Sequence, residues 1–242
     1  MDFEYRVMKP KILAANKIHE KALELAQSFA DVDVKTGLSE DELVGVIGEY
    51  DAIVVRSKPQ VTKKVIDAGS KLKVIGRAGV GLDNVDLDAA KEAGVEVVNS
   101  PEASTISVAE HAIGMMLAFY RHIPNARASL RDGGWERKTY IGNELYGKTL
   151  GLLGFGRIGK EVALRARAFG MDILVSDPIH TSEDAREFNA KLVEPDQLFR
   201  ESDIISLHVP AIESTFNLIN DERLAKMKPS AVIINTSRGH AI

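Results

Sequence analysis

GLLGFGRIG, residues 151–159, ends an apolar run in Gly154-x-Gly156-x-x-Gly159, and EVALRARAFG continues from it with helical spacing. Glycines are common, and this spacing alone reads equally well as an ordinary turn. Between a strand and a helix it reads as a phosphate cradle. The first glycine permits the tight turn, the second lets a pyrophosphate approach the backbone, and the third lets helix pack on strand. The helix amino terminus then faces the anion, so Arg157 and Ile158, inside the turn, join Gly154, Gly156 and Gly159 as expected cofactor-binding residues. DILVS (172–176) follows and ends in Asp177, eighteen residues past Gly159. That is close to the ~20 expected of a carboxylate that binds ribose hydroxyls. An acid here repels a 2′-phosphate and no arginine follows until Arg186, so NAD is expected over NADP.

Working outward, the cradle belongs to a series of strand candidates: TLGLL (149–153), DILVS (172–176), KLV (191–193), DIISL (203–207) and AVIIN (231–235). An earlier series consists of KILAA (11–15), DVDVK (32–36), AIVV (52–55), KVIG (73–76) and VEVV (95–98). Apolar runs alternating with helical patterns imply buried parallel strands. Between the first strands, SEDELVGVIGEY opens with Ser39 and Glu42 at capping-box spacing. The expected fold is α/β, with two doubly wound parallel-sheet, Rossmann-like domains, the second incomplete after its fifth strand. A long helical pattern at about 104–121 follows Asn99-Ser100-Pro101, where the boundary is placed, dividing the chain into 1–99 and 100–242.

Composition narrows the function classes. Lys+Arg number 31 against 35 Asp+Glu, without the basic excess that drives counterion release on nucleic acid, so no nucleic-acid partner is expected. The apolar stretch AIGMMLAF (112–119) is far short of the ~20 residues of a membrane helix, and no membrane association is expected. MDFEYRVMKPK, at the amino terminus, lacks an apolar core of signal-peptide length, so a cytoplasmic address is expected. The absence of cysteine removes disulfides, thiolate zinc sites and cysteine nucleophiles. No metal site is expected.

RAGVGLDNVDLDAA (77–90), GKTLGLLGFGRIGKEVA (147–163), SLHVP (206–210) and INTSRG (234–239) together resemble the NAD-dependent D-2-hydroxyacid dehydrogenases, in colinear order over essentially the whole chain. The first of these and NARASLRDGGWERK (125–138) resemble the phosphoglycerate dehydrogenase branch. The resemblance implies a flavodoxin-like substrate domain in 1–99, lacking a helix that returns from the carboxyl-terminal end, and an NAD domain in 100–242. It implies that Gly79 and Val80 offer backbone amides to the substrate carboxylate, as a nest of N–H groups can. Arg238 would be catalytic, holding the carboxylate and C2 oxygen with a planar, permanently charged guanidinium. Val209 and Pro210 would line the adenosine side, and Thr236 and Ser237 would approach the nicotinamide. Arg56 and Ser57, beside Lys58, could receive a substrate phosphate or simply be solvated.

The family's proton-transferring glutamate and histidine follow the Ser-Arg-Gly loop, and the resemblance implies that this sequence ends before either. His19, His122 and His180 are expected in surface or packing roles, and His208 in a cofactor loop. His111 lies beside Glu110 in the 104–121 helical pattern, where adjacent residues do not face each other. His240, two residues past Arg238, is the tempting substitute base, but a base must be positioned before its pKa matters. The implied reaction is oxidation of the small-molecule substrate 3-phosphoglycerate to 3-phosphohydroxypyruvate with NAD. A glyoxylate or hydroxypyruvate reductase and a non-catalytic NAD-binding sensor are the alternatives. A homodimer is expected, paired through an exposed patch on the 104–121 helix that includes Ile113, Met116, Leu117 and Tyr120.

Overall fold

The computed structural model describes residues 9–242. It divides into two compact units, one reaching Ser104 and one running from Thr105 to Ile242.

In the first unit, β1 (Lys11–Ala14), β2 (Asp31–Val34), β3 (Ala52–Val55), β4 (Val74–Arg77) and β5 (Glu96–Asn99) form one parallel sheet in the order β2-β1-β3-β4-β5. Its helices are α1 (Glu20–Phe29), α2 (Glu40–Ile47), α3 (Lys63–Ala68) and α4 (Leu87–Glu92). The capping box at α2 is complete: Ser39 Oγ accepts from the Glu42 amide at 3.3 Å, and the Glu42 carboxylate accepts from the Ser39 amide at 2.8 Å. The strand order changes direction between β1 and β3, so right-handed crossovers put α1 on the face opposite the other three helices. Register then separates two rows. Leu13, Ile53, Ile75 and Val97 pack on Leu43, Ile47, Val65, Ile66, Ala89 and Ala90. Val34, Ala14, Val54, Gly76 and Val98 lie on the other face. There α1 buries no residue, and Val34 and Val98 remain 48% and 43% exposed.

The second unit contains β6 (Thr149–Leu153), β7 (Asp172–Ser176), β8 (Ala190–Leu192), β9 (Ile204–Leu207) and β10 (Val232–Asn235), parallel in the order β10-β9-β6-β7-β8. Its helices are α5 (Thr105–Tyr120), α6 (Ile123–Arg131), α7 (Arg157–Ala168), α8 (Ser182–Glu187), α9 (Pro195–Glu201) and α10 (Asp221–Lys226). Both faces of this sheet are covered. Leu150, Leu152, Ile173, Val175, Ile204 and Ile234 meet α5 and α7, whose Ala109, Ala112, Ala163 and Ala166 are small enough for close packing. On the reverse, Leu153, Leu174, Ile205 and Leu207 meet Leu198 and Phe199 of α9.

This packing overturns the expected association patch. Ile113, Met116 and Tyr120 are buried in the core of the second unit, and Leu117 packs partly buried against it. An apolar helix beside a sheet satisfies itself against that sheet before it seeks a second copy. The exposed apolar side chains of this region instead include Ile106, Phe119, Ile123, Leu130, Trp135 and Ile141.

Candidate functional site

The second unit brings its expected residues to the carboxyl ends of β7, β6, β9 and β10, where open α/β sheets bind ligands. The three glycines differ in what surrounds them. Gly154 has φ of 92°, and a Cβ there would lie 2.5 Å from the His208 carbonyl oxygen. A Cβ on Gly159 would lie 2.4 Å from the Gly154 carbonyl oxygen, so that glycine lets α7 close onto the turn. Gly156, which caps the amino terminus of α7, has open space where its Cβ would stand. That space, at the positive end of a 12-residue helix, is what a pyrophosphate requires. Arg157 and Ile158 form the first turn of α7, Arg157 exposed and Ile158 half-buried against the core.

Asp177 stands beside this turn and is tied to it. Its Oδ2 accepts from the Phe155 amide at 2.7 Å, while Oδ1 accepts from the Ile179 and His180 amides at 2.8 and 3.1 Å. The His180 ring Nδ1 adds a fourth contact, 2.9 Å from Oδ1. Burial pushes the Asp177 pKa up, but the hydrogen bonds from Phe155, His180 and Ile179 outweigh it and bring the carboxyl to about 2. Spacing placed Asp177 in the sequence, but nothing there marked Phe155 or His180 as its partners.

Past β9, Val209 approaches the glycine turn, its Cγ1 lying 3.3 Å from where a Gly154 Cβ would be. Pro210 is exposed, and its carbonyl accepts from the Thr215 hydroxyl at 2.6 Å. His208 and the buried Ser206 form a pair, Nε2 to Oγ 3.0 Å, and burial lowers the His208 pKa to about 4. Past β10, the Asn235 carboxamide oxygen accepts from the Ser237 amide and hydroxyl at 3.0 and 2.8 Å. Its Nδ2 donates to the Arg238 carbonyl at 2.9 Å. The Arg238 guanidinium donates to the Ser237 carbonyl at 3.0 Å. Thr236 Oγ1 is buried without a hydrogen-bond partner, a group that a ligand amide could satisfy. His240 stacks on Phe216, with ring centroids 6.1 Å apart and its Nε2 buried and unpaired.

In the first unit the expected residues lie on loops after adjacent strands β3 and β4. Two asparagines absent from the sequence-based expectations hold the Arg56–Ser57 loop. Asn16 Oδ1 accepts from the Arg56 amide at 2.7 Å, and Asn84 Nδ2 donates to the Arg56 and Pro59 carbonyls at 2.9 and 3.0 Å. Gly79 has φ of 151°, and its amide donates to Arg77 O at 2.8 Å and Ser100 Oγ at 3.0 Å, so it is engaged within its own turn. The Val80 carbonyl accepts from Asn99 Nδ2 at 2.6 Å. Arg77 lies against Gly79, its Nε buried and unpaired, leaving a cationic donor beside the turn. Asn16 and Asn84 carry a weak sequence signal, each being a polar residue just after an apolar strand or within a turn-rich run.

Residues 113–242 match the family described as D-isomer specific 2-hydroxyacid dehydrogenase, NAD binding domain. The chain is 53% identical to a D-3-phosphoglycerate dehydrogenase of Synechocystis sp., over 96% of its own length and 42% of that protein. It is 50% identical to a hydroxypyruvate reductase of Thermotoga maritima, over 93% of its own length and 73% of that protein. A glyoxylate reductase structure from Paecilomyes thermophila superposes with a TM-score of 0.88 at 34% identity, covering 97% of this chain and 75% of that one. The chain spans about two fifths of the length of the D-3-phosphoglycerate dehydrogenases it matches.

Proposed function

The chain belongs to the D-isomer specific 2-hydroxyacid dehydrogenase family, and from that premise we propose that the whole protein oxidises 3-phosphoglycerate to 3-phosphohydroxypyruvate with NAD. The observation that carries this reading is the cradle itself, a glycine turn with room at Gly156 and an ionised Asp177 bonded to the same turn through Phe155. Substrate choice rests on relatives of 53% and 49% identity that bear the phosphoglycerate dehydrogenase name.

When bound, NAD supplies a nicotinamide ring that accepts hydride from C2 of the substrate. In this reading the amino terminus of α7 holds the pyrophosphate and Asp177 accepts a ribose hydroxyl. Val209 and Pro210 border the adenosine, while Ser237 and the unpaired Thr236 hydroxyl serve the nicotinamide side. Arg238 leaves the Ser237 carbonyl to bind the substrate carboxylate and polarise the C2 oxygen. Val80, with Arg56 and Ser57, receives substrate in the first unit, whose half-open sheet face accepts a returning helix from outside this sequence. The base is also placed outside it. His208, brought to a pKa of about 4, is a poor proton acceptor near neutrality, and its Nε2 is already paired with Ser206.

A hydroxypyruvate or glyoxylate reductase is the second reading, favoured by the Thermotoga relative, of which this chain covers 73%. Steady-state rates of the longer protein with 3-phosphoglycerate, hydroxypyruvate and glyoxylate decide between them. A preference for unphosphorylated substrates rejects the first reading, and no turnover with any of the three leaves an NAD-binding sensor. The 242-residue chain should turn over at least ~100-fold more slowly than the longer protein, the lower end of a general base's contribution. We also place the protein in the cytoplasm and pair it as a homodimer through the exposed apolar side chains around Trp135 and Ile141.

A further inference from the structure

We propose that His180 is a positioning residue that sets the dinucleotide preference of this site by fixing the Asp177 carboxylate; the proposal rests on the reading of Asp177 as the ribose acid. After β7, Asp177-Pro178-Ile179-His180 turns into Thr181, the capping residue of α8. Within the turn, Asp177 Oδ1 accepts from two amides and from the His180 ring. An ionised carboxylate only accepts, so the ring proton sits on Nδ1.

Three donors saturate Oδ1, whereas Oδ2 has, among the described residues, a single donor, the Phe155 amide at 2.7 Å. The place left for a ribose hydroxyl is therefore on Oδ2. The His180 ring is itself held, packing edge-on against the fully buried Phe155 at 5.7 Å and 84°, and Phe155 packs edge-on against Phe188 at 5.4 Å. One aromatic cluster thus positions both the glycine turn and the imidazole that orients the acid. Without the ring donor the carboxylate keeps its charge and its three backbone amide donors but loses its one side-chain restraint, and is held less firmly in its orientation. It then offers Oδ2 less well to a 2′-hydroxyl and opposes a 2′-phosphate less well, so the two dinucleotides converge in affinity.

Calorimetric titration with NAD and with NADP near neutral pH tests this on the unmodified chain and on H180F, H180N and D177A. Phe keeps the ring against Phe155 but donates nothing, and the Asn amide can donate from about the position of Nδ1. H180F should lower the NAD-over-NADP affinity ratio about tenfold, the scale of one hydrogen bond to a charged group, and H180N should restore most of it. An unchanged ratio in H180F, with D177A collapsing it, overturns the role of His180 and leaves the ribose acid standing. H180N as defective as H180F, at equal folded fraction by circular dichroism, also overturns it. A wild-type ratio in D177A removes the ribose-acid reading and this proposal with it.

Discussion

The two units use one plan, five parallel strands with helical crossovers, and differ in what closes the sheet and what occupies the point where strand order reverses. In the second unit helices lie on both faces, and the reversal between β6 and β9 holds a glycine turn at a helix amino terminus. In the first, one face is packed and the other carries α1 alone, and the reversal between β1 and β3 holds Asn16 bonded to the Arg56 amide. Equal topology therefore yields unequal sites. A turn with no side chain at Gly156 leaves space for an anion, whereas a turn pinned by asparagines presents side chains.

Core truncation should separate the units most. Leu152→Ala removes a fully buried side chain between strand and helices in the second unit and should cost about 3 kcal/mol. Val98→Ala, on the half-open face of the first, should cost under ~1 kcal/mol. Urea unfolding measures both, and equal losses would mean that the first sheet is as well covered as the second. Gly154→Ala puts a methyl group 2.5 Å from a backbone oxygen at φ of 92°, and should cost about 2–3 kcal/mol and abolish NAD binding. Gly37→Ala, at φ of 78° in open space, should cost only ~1 kcal/mol and leave binding intact. Melting temperature and NAD titration on each variant distinguish a shaped cradle from a merely flexible turn.

Acid should act on the second unit through Asp177. Its pKa falls from the usual 3.8 to about 2 on folding, so it stabilises the folded state above about pH 4, and that contribution disappears as pH falls through 2. The loss should be about 2 kcal/mol. Asp177→Asn should flatten this part of the stability profile, and an unchanged acid limb would show that the hydrogen bonds at Asp177 persist unfolded or do not form. Trp135→Ser should have the smallest effect on folding, within ~0.5 kcal/mol, because the side chain is 75% exposed. Sedimentation should nevertheless show weakened self-association, and a variant that associates like the parent would move the pairing surface elsewhere.

Much of this was legible because it is local. The strand candidates TLGLL, DILVS and AIVV are β6, β7 and β3 to the residue, since uninterrupted apolar runs between turn residues leave few other options. Ser39 and Glu42 form their capping box because its geometry spans only three residues. The helix from Thr105 to Tyr120 was legible as a helix but not by its faces, being apolar nearly all round, so periodicity could not tell which side meets the sheet. The sequence does not mark Asn16, Asn84 or Arg77, and it gives His180 only a surface or packing role, for another reason. Isolated polar residues gain a role only from partners distant in sequence or from a turn whose shape is set elsewhere.

The sequence by itself determined the parallel α/β plan, the glycine turn and the acid eighteen residues beyond it, because each depends on periodicity or on chemistry within one βαβ unit. Tertiary structure decided which face of α5 is hidden, that Gly79 spends its amide on Ser100, and that Asp177 is bound to Phe155 and His180. These are outcomes of competition. A donor, an acceptor or an apolar stripe can be satisfied by several neighbours, and only the packed chain brings one of them within 3 Å.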